Sequence, residues 1–360
     1  MHKVKCGGWG TAPWLLLAAI FMLAGCSGLT SERQLPRLER EAGGASGGLI
    51  PQEYLCPGTG QAAPDPRLVK EIQAFLEKNQ MFGGVPAGVA SDLPIILNVP
   101  VQKYLHAFAK SKNFQASLAR SGRYLPMMRR IFAEHGLPQD LIYIALVESG
   151  FSPYARSPTD AVGIWQFIEG TARRYGHKVN DRVDERQDPE KSTRAAARYL
   201  HDLYQQFGCW YLAAAGYNAG ENRVEGVMNS HDILDFWVMA QKKLLPAETC
   251  NYVPQIVAAA LIAKEPEKYG MAPVRYQAPR AGVRVKVPGG VNLAVFAEAL
   301  EMPEKELVEL NPELKAGVTP SDQQEYLLTV PAKKVRQAKR LAHLCLQKQI
   351  RAEVKQTVFE

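Results

Sequence analysis

The stretch Leu137-Pro138-Gln139-Asp140-Leu141-Ile142-Tyr143-Ile144-Ala145-Leu146-Val147-Glu148-Ser149-Gly150-Phe151 decides how this 360-residue chain is read. Pro138 in the first turn and Gly150 just past the end bracket a helix over 138–149, the usual asymmetry of helix start and stop. In that helix Glu148 shares a face with Leu141, Ile144 and Ala145, at offsets of seven, four and three. A carboxylate on an apolar face loses hydration, and in the last turn it also meets the negative end of the helix dipole. Both effects favour the protonated form. An acid kept protonated near neutral pH is what general-acid cleavage of a glycosidic bond requires. Taken alone, the segment also suits a helix-end carboxylate that reaches solvent or pairs with an Arg.

Working outward, helical spacing dominates from Pro64 onward, over 67–78, 101–112, 124–135, 189–207 and 251–264. The helix at 189 opens Asp188-Pro189-Glu190, an N-cap followed by Pro at the first helical position. After Tyr276 the pattern changes. Val283, Val285 and Val287 alternate with Arg284 and Lys286 as a strand does, two short helices follow over 293–300 and 304–310, and 326–330 closes as a strand. The expected fold class is mainly α, a helical domain followed by a small α+β module and a C-terminal helix.

The whole chain is 46% hydrophobic and 22% charged, ordinary values for a folded protein, and its 24 Pro and 29 Gly show no fixed period. Collagen-like, coiled-coil and polytopic membrane classes are excluded. The formal charge of +7 suggests an acidic partner, but the tail from Ala332 holds eight basic and two acidic residues and so carries nearly all of the excess. Val335, Leu341, Leu344 and Ile350 are spaced as one side of a helix, which favours a helix packed on its domain over a wall- or membrane-binding arm. No nucleic-acid-binding module is recognisable, and none is expected as partner.

At the N-terminus Lys3 and Lys5 precede an apolar run over 14–23, too short for the ~20 residues of a membrane span but suited to a secretory leader. Leu23-Ala24-Gly25-Cys26 resembles a bacterial lipobox, which implies acylation at Cys26 and attachment to a membrane; Ser27 favours the outer membrane of a Gram-negative cell, with the protein in the periplasm. The chain then divides into a leader at 1–25, a tether at 26–63, a helical domain at 64–276, a module at 280–331 and a basic tail at 332–360. Cys56, Cys209, Cys250 and Cys345 remain after export, open to three pairings in an oxidising compartment. No Cys-x-x-Cys or Cys/His cluster suggests a metal, and no cofactor is expected.

Further motifs follow Glu148 in order: Ser157-Pro158-Thr159-Asp160-Ala161-Val162-Gly163-Ile164-Trp165-Gln166-Phe167, then Thr171, then Val183-Asp184-Glu185-Arg186-Gln187-Asp188-Pro189. Ala195 to Leu200, Ala215-Gly216-Tyr217-Asn218-Ala219-Gly220 and Leu245 to Pro254 complete them. In this order and spacing they resemble the soluble lytic transglycosylase domain, and most of all the membrane-bound lytic murein transglycosylase D group, over roughly 65 to 332. The 280–331 segment resembles a LysM module, with Leu310-Asn311-Pro312 as its most recognisable tripeptide and Gly289-Gly290-Val291-Asn292 in place of the usual turn. The resemblance implies a lysozyme-like catalytic fold acting on peptidoglycan glycan strands. It implies Glu148 as the single catalytic acid and base, and Ser149, Ser157, Trp165, Gln166, Tyr217 and Asn218 as substrate-binding residues. Trp165 would stack on a sugar ring or belong to the core.

Three departures from the family pattern bear on chemistry. Asp160 stands where Gly is common, which suits an unusual backbone angle or a second carboxylate able to activate water. Gly216 replaces Ala before Tyr217-Asn218. Cys209 and Cys250 replace a position often acidic and one often basic, which implies a disulfide between them, stabilising by ~4 kcal/mol in the chain-entropy model. The leading expectation is a lytic transglycosylase leaving 1,6-anhydro ends. The alternatives are a hydrolytic muramidase using the same Glu148 and a non-catalytic peptidoglycan-binding lipoprotein.

Overall fold

Capping chemistry sets the helix boundaries seen in the computed structural model, which describes Leu93, residues 96–280 and residues 282–359, with side chains up to 347. The leader, Cys26, the tether, Cys56 and the helix expected at 67–78 lie outside the described residues. Helix α1 (Val99–Ala109) starts at Asn98, whose side chain accepts from the Val101 amide at 3.1 Å, and α2 (Lys112–Ser121) starts at Ser111, which accepts from Phe114 at 3.2 Å. α3 is Leu125–Glu134. The helix expected over 138–149 is two elements: a 3₁₀ turn over Gln139–Tyr143 and the short α4 (Ile144–Ser149), stopped by Gly150 at φ +58°.

α5 (Glu169–Arg174) follows the loop that carries Ser157 and Gln166. α6 (Pro189–Phe207) matches its expected bounds, with Asp188 Oδ1 accepting from the Glu190 and Lys191 amides at 2.9 and 3.0 Å and Gly208 in the left-handed region at its end. α7 (Trp210–Ala219) is buried over its first seven residues, so it has no polar face and sits between α6, α8 (Glu221–His231) and α10. α9 is Phe236–Gln241 and α10 is Ala247–Lys264, which begins four residues before the expected start and carries Pro254 inside it. α10 packs on α1, α4 and α7, and its Tyr252, Val253, Ile256 and Val257 lie in the main core. Gly216 sits where an added methyl would lie 2.8 Å from the Phe207 ring, which accounts for Gly at that position.

The C-terminal module has the expected order: strand β1 (Gly282–Pro288), α11 (Leu293–Ala299), α12 (Glu304–Leu310) and strand β2 (Glu325–Pro331). The strands pair antiparallel with Val285 opposite Leu328. Asn311 explains its tripeptide: its amide donates to Leu307 O and Thr329 O at 2.9 and 2.8 Å and accepts from Thr329 N at 2.8 Å, tying α12 to β2. A Cβ at Gly289 would lie 2.2 Å from Gln323 O, so the altered turn is set by close backbone approach. The tail is the helix α13 (Val335–Phe359), and Ala338 and Ala342 are part of the module's core.

Module and helical domain share structure. Val183, from the helical part, belongs to the module's hydrophobic cluster and pairs with Leu314 in an antiparallel bridge. Asp184 N donates to Glu313 O at 2.9 Å and Lys315 N to Arg182 O at 3.0 Å. Arg284 on β1 pairs with Asp188 at 3.1 Å and Glu190 at 3.6 Å, at the start of α6.

Candidate active site

Three segments meet at Glu148. α4 brings the carboxyl to its last turn with Ile144 and Ala145 buried beneath, and α10 crosses it. From α10, the Tyr252 hydroxyl donates to Glu148 Oε1 at 2.5 Å. The third segment is the loop 155–167, folded on itself by Ser157 N to Ala161 O at 2.9 Å, Val162 N to Phe167 O at 3.0 Å and Gly163 N to Ala155 O at 2.9 Å. The Ser149 hydroxyl, next to the carboxyl, donates to Ile164 O at 2.8 Å and so joins the end of α4 to this loop.

The resulting cleft has a volume of about 380 Å³ and is lined by Glu148, Ser157, Gln166, Tyr217, Asn218 and Glu248, among others. Burial pushes the Glu148 carboxyl up to about 7; the hydrogen bond from Tyr252 opposes this, and the nearby Glu248 carboxylate adds to it. Tyr217 and Tyr252 are held far above the usual phenol range, burial being the main cause and the Glu148 charge the next. Both phenols therefore remain hydrogen donors. Tyr217 donates to Trp165 O at 2.7 Å. Thr249 donates to Asn218 Oδ1 at 2.8 Å, and Asn218 Nδ2 donates to Glu248 Oε1 at 3.2 Å, which fixes the orientation of that amide. Gln166, at φ +49°, donates its amide hydrogens to Ala155 O and Gly163 O at 3.1 and 2.8 Å. What remains for a ligand is its amide oxygen.

Of the residues expected from sequence, Glu148, Ser157, Gln166, Tyr217 and Asn218 come together at the cleft. Trp165 does not. It is 0% exposed, stacks on Phe132 with ring centroids 5.6 Å apart and donates Nε1–H to Thr193 at 3.0 Å. It is a core residue, and stacking on a sugar is excluded. Ser149 does not line the cleft either, its hydroxyl being directed into the loop.

Asp160 stands at φ +61°, which accounts for the structural part of its expectation; its carboxylate pairs with Arg156 and lies outside the cleft lining, so it is not placed to activate water. The Cys209–Cys250 pairing is also corrected: Cys250 is a free thiol, 3.4 Å from Leu245 O, and Cys209 is engaged in a disulfide that does not involve it. Two residues were missed. Glu248 and Tyr252 are four apart on α10, a spacing that puts them on one face, and that face turns to Glu148.

Residues 130–239 match the family model of the transglycosylase SLT domain, and residues 282–344 that of the LysM-like domain of lytic transglycosylase MltD. The membrane-bound lytic murein transglycosylase D of Escherichia coli (strain K12) is 32% identical over 238 residues, covering 64% of this chain and 51% of the relative. The peptidoglycan transglycosylase gp16 of Escherichia phage T7 is 40% identical over 93 residues, covering 25% of this chain and 7% of that protein. Among solved structures, the 70 kDa soluble lytic transglycosylase of Escherichia coli aligns with a TM-score of 0.36 and 25% identity, over 44% of this chain and 27% of that one. The chain spans about half the length of the murein transglycosylase D that it matches. On the two family-model matches, residues 130–239, which carry Glu148 and the 155–167 loop, belong to the transglycosylase SLT domain family, and residues 282–344, which include the C-terminal module, to the family of LysM-like domains of lytic transglycosylase MltD.

Proposed function

We propose that the protein is a lytic transglycosylase that cleaves the β-1,4 bond between N-acetylmuramic acid and N-acetylglucosamine in peptidoglycan glycan strands. The observation that carries this reading is a half-buried carboxyl, titrating at about 7, at a cleft that also presents hydroxyl, amide and phenol groups suited to N-acetyl sugars. Protonated Glu148 gives its proton to the bridging oxygen as the C1–O bond breaks, and the substrate's acetamido group shields the charge at C1. The carboxylate then takes the proton of the muramyl C6 hydroxyl while that oxygen closes on C1. A 1,6-anhydro end forms and no water is consumed. A pKa near the working pH suits a group that must both give and take a proton.

One observation favours a second reading. Glu248 lines the same cleft, and a second carboxylate that activates water would make the enzyme a hydrolytic muramidase. Digesting purified sacculi and weighing the released muropeptides separates the two. Anhydro products lighter by one water are expected; reducing ends would overturn the transglycosylase reading, and release persisting in Glu148→Gln would overturn the role of Glu148.

Export by the leader and acylation at Cys26, with residence at the periplasmic face of the outer membrane, go with this substrate. The Escherichia coli relative is named as membrane-bound. Incorporation of labelled palmitate into the chain, and its loss in Cys26→Ser, tests that part.

A further inference from the structure

The segment that docks the LysM-like module is the segment that holds the cleft loop. Val183, Asp184 and the Arg182 carbonyl make the bridge to Leu314, Glu313 and Lys315. Two residues on, Arg186 is only 2% exposed, and its guanidinium takes Asp184 in a two-point ion pair, Nε to Oδ1 and Nη2 to Oδ2, both at 2.8 Å. Asp184 is itself fully buried. The remaining guanidinium nitrogen, Nη1, donates to Asp160 O at 2.9 Å and Phe167 O at 3.2 Å, the two sides of the cleft loop. The Arg186 carbonyl is in addition packed against Gly163: a Cβ there would lie 2.0 Å from it. The same loop presents Ser157 and Gln166 to the cleft and receives the Ser149 hydroxyl beside Glu148.

We propose that Arg186 is a positioning residue through which docking of the LysM-like module sets the conformation of the 155–167 cleft loop. The physical basis is a contiguous set of bonds with few alternatives. An Arg fork that is buried and shared between one carboxylate and two carbonyls has one satisfying arrangement, so a shift of the 182–186 segment at the module is passed to both sides of the loop. The module thus contributes to catalysis through the shape of the cleft, whatever it contributes by touching glycan. The inference rests on the proposed glycan cleavage only for its kinetic readout.

The test uses the full chain and two variants. In the first, Arg182→Ala, Arg284→Ala and Lys315→Ala together remove polar docking contacts to Asp322, to Asp188 and Glu190, and to Asn180 O, leaving both hydrophobic cores intact. In the second, Arg186→Lys keeps a charge beside Asp184 but cannot also serve both carbonyls. Hydrogen exchange at Asp160, Val162 and Gly163 is expected to quicken about tenfold or more in both variants, while amides in α10 keep their protection. KM for glycan is expected to rise several-fold with kcat and its pH profile nearly unchanged, because Tyr252 and Glu248 hang from α10 rather than from the loop. A merely structural role would instead lower the active fraction at constant KM. Exchange in 155–167 unchanged in the docking variant, while amides of β1 and β2 open, would overturn the proposal. Exchange is read on free protein, so this arm decides even if sacculi release nothing.

Discussion

Tyr252 and Glu148, 104 positions apart in sequence, are joined by a hydrogen bond of 2.5 Å from phenol to carboxyl oxygen. The bond favours the ionised carboxyl, whereas burial and the Glu248 charge favour the protonated one, and the balance is a group titrating at about 7. Tyr252→Phe removes the first influence and Glu248→Gln the second. The alkaline limb of the pH–rate profile is therefore expected to move up in Tyr252→Phe and down in Glu248→Gln, each by ~0.5–1 unit. Muropeptide release followed from pH 5 to 9 reads both shifts, and movement in the same direction would refute the assignment.

The same burial predicts a stability effect. An unfolded Glu titrates near 4.5 and the native Glu148 near 7, so in between the native chain keeps a proton that the unfolded chain releases. Stability therefore falls as pH rises through that window. Glu148→Gln, whose side-chain oxygen still accepts from Tyr252, escapes the loss. It is expected to be more stable than the native protein by on the order of 2 kcal/mol at pH 8 and about equal to it at pH 4, by denaturant titration.

The Asp160 carboxylate pairs with Arg156 outside the cleft lining, so it is expected to be dispensable for chemistry. Asp160→Gly, which suits φ +61°, is expected to retain activity within about threefold and to leave the product masses unchanged. A switch of product type would restore Asp160 as a reacting group.

Trp165 fills the core beneath the loop. Trp165→Ala is expected to cost about 3–5 kcal/mol of stability, seen in thermal and denaturant unfolding. Trp165→Phe, which keeps the stacking on Phe132, is expected to leave KM near its native value. A large rise in KM at native stability would contradict the core assignment.

Alkylation of the purified protein without reductant is expected to label Cys250 and Cys345 and to spare Cys209. A linked peptide containing both Cys209 and Cys250 would reverse the correction.

How far the sequence carried depended on whether a residue's role was local. Asp188-Pro189 and Gly208 announce α6 because capping is a property of neighbouring residues, and the upward shift of the Glu148 carboxyl was legible because an apolar face and a helix end are both written within ten positions of it. The 3₁₀ turn over 139–143 was not, since the buried Asp140 there answers to Leu93 and Lys264, far away in the chain. Trp165 shows the same limit: an aromatic after Gly163-Ile164 fits a sugar platform or a core, and only Phe132 and Thr193 decide between them. Tyr252 and Glu248 lay in a motif already noticed, but their use requires knowing that α10 crosses α4.

Under the proposed glycan cleavage, the docking of the LysM-like module through Val183 and Leu314 has a consequence for how long the products are. A module on a slack linker raises local concentration and leaves the cutting point to chance. One bolted to the catalytic body acts as a ruler: any sugar it holds stands a set number of units from the scissile bond, so its influence belongs in the length distribution of the released fragments.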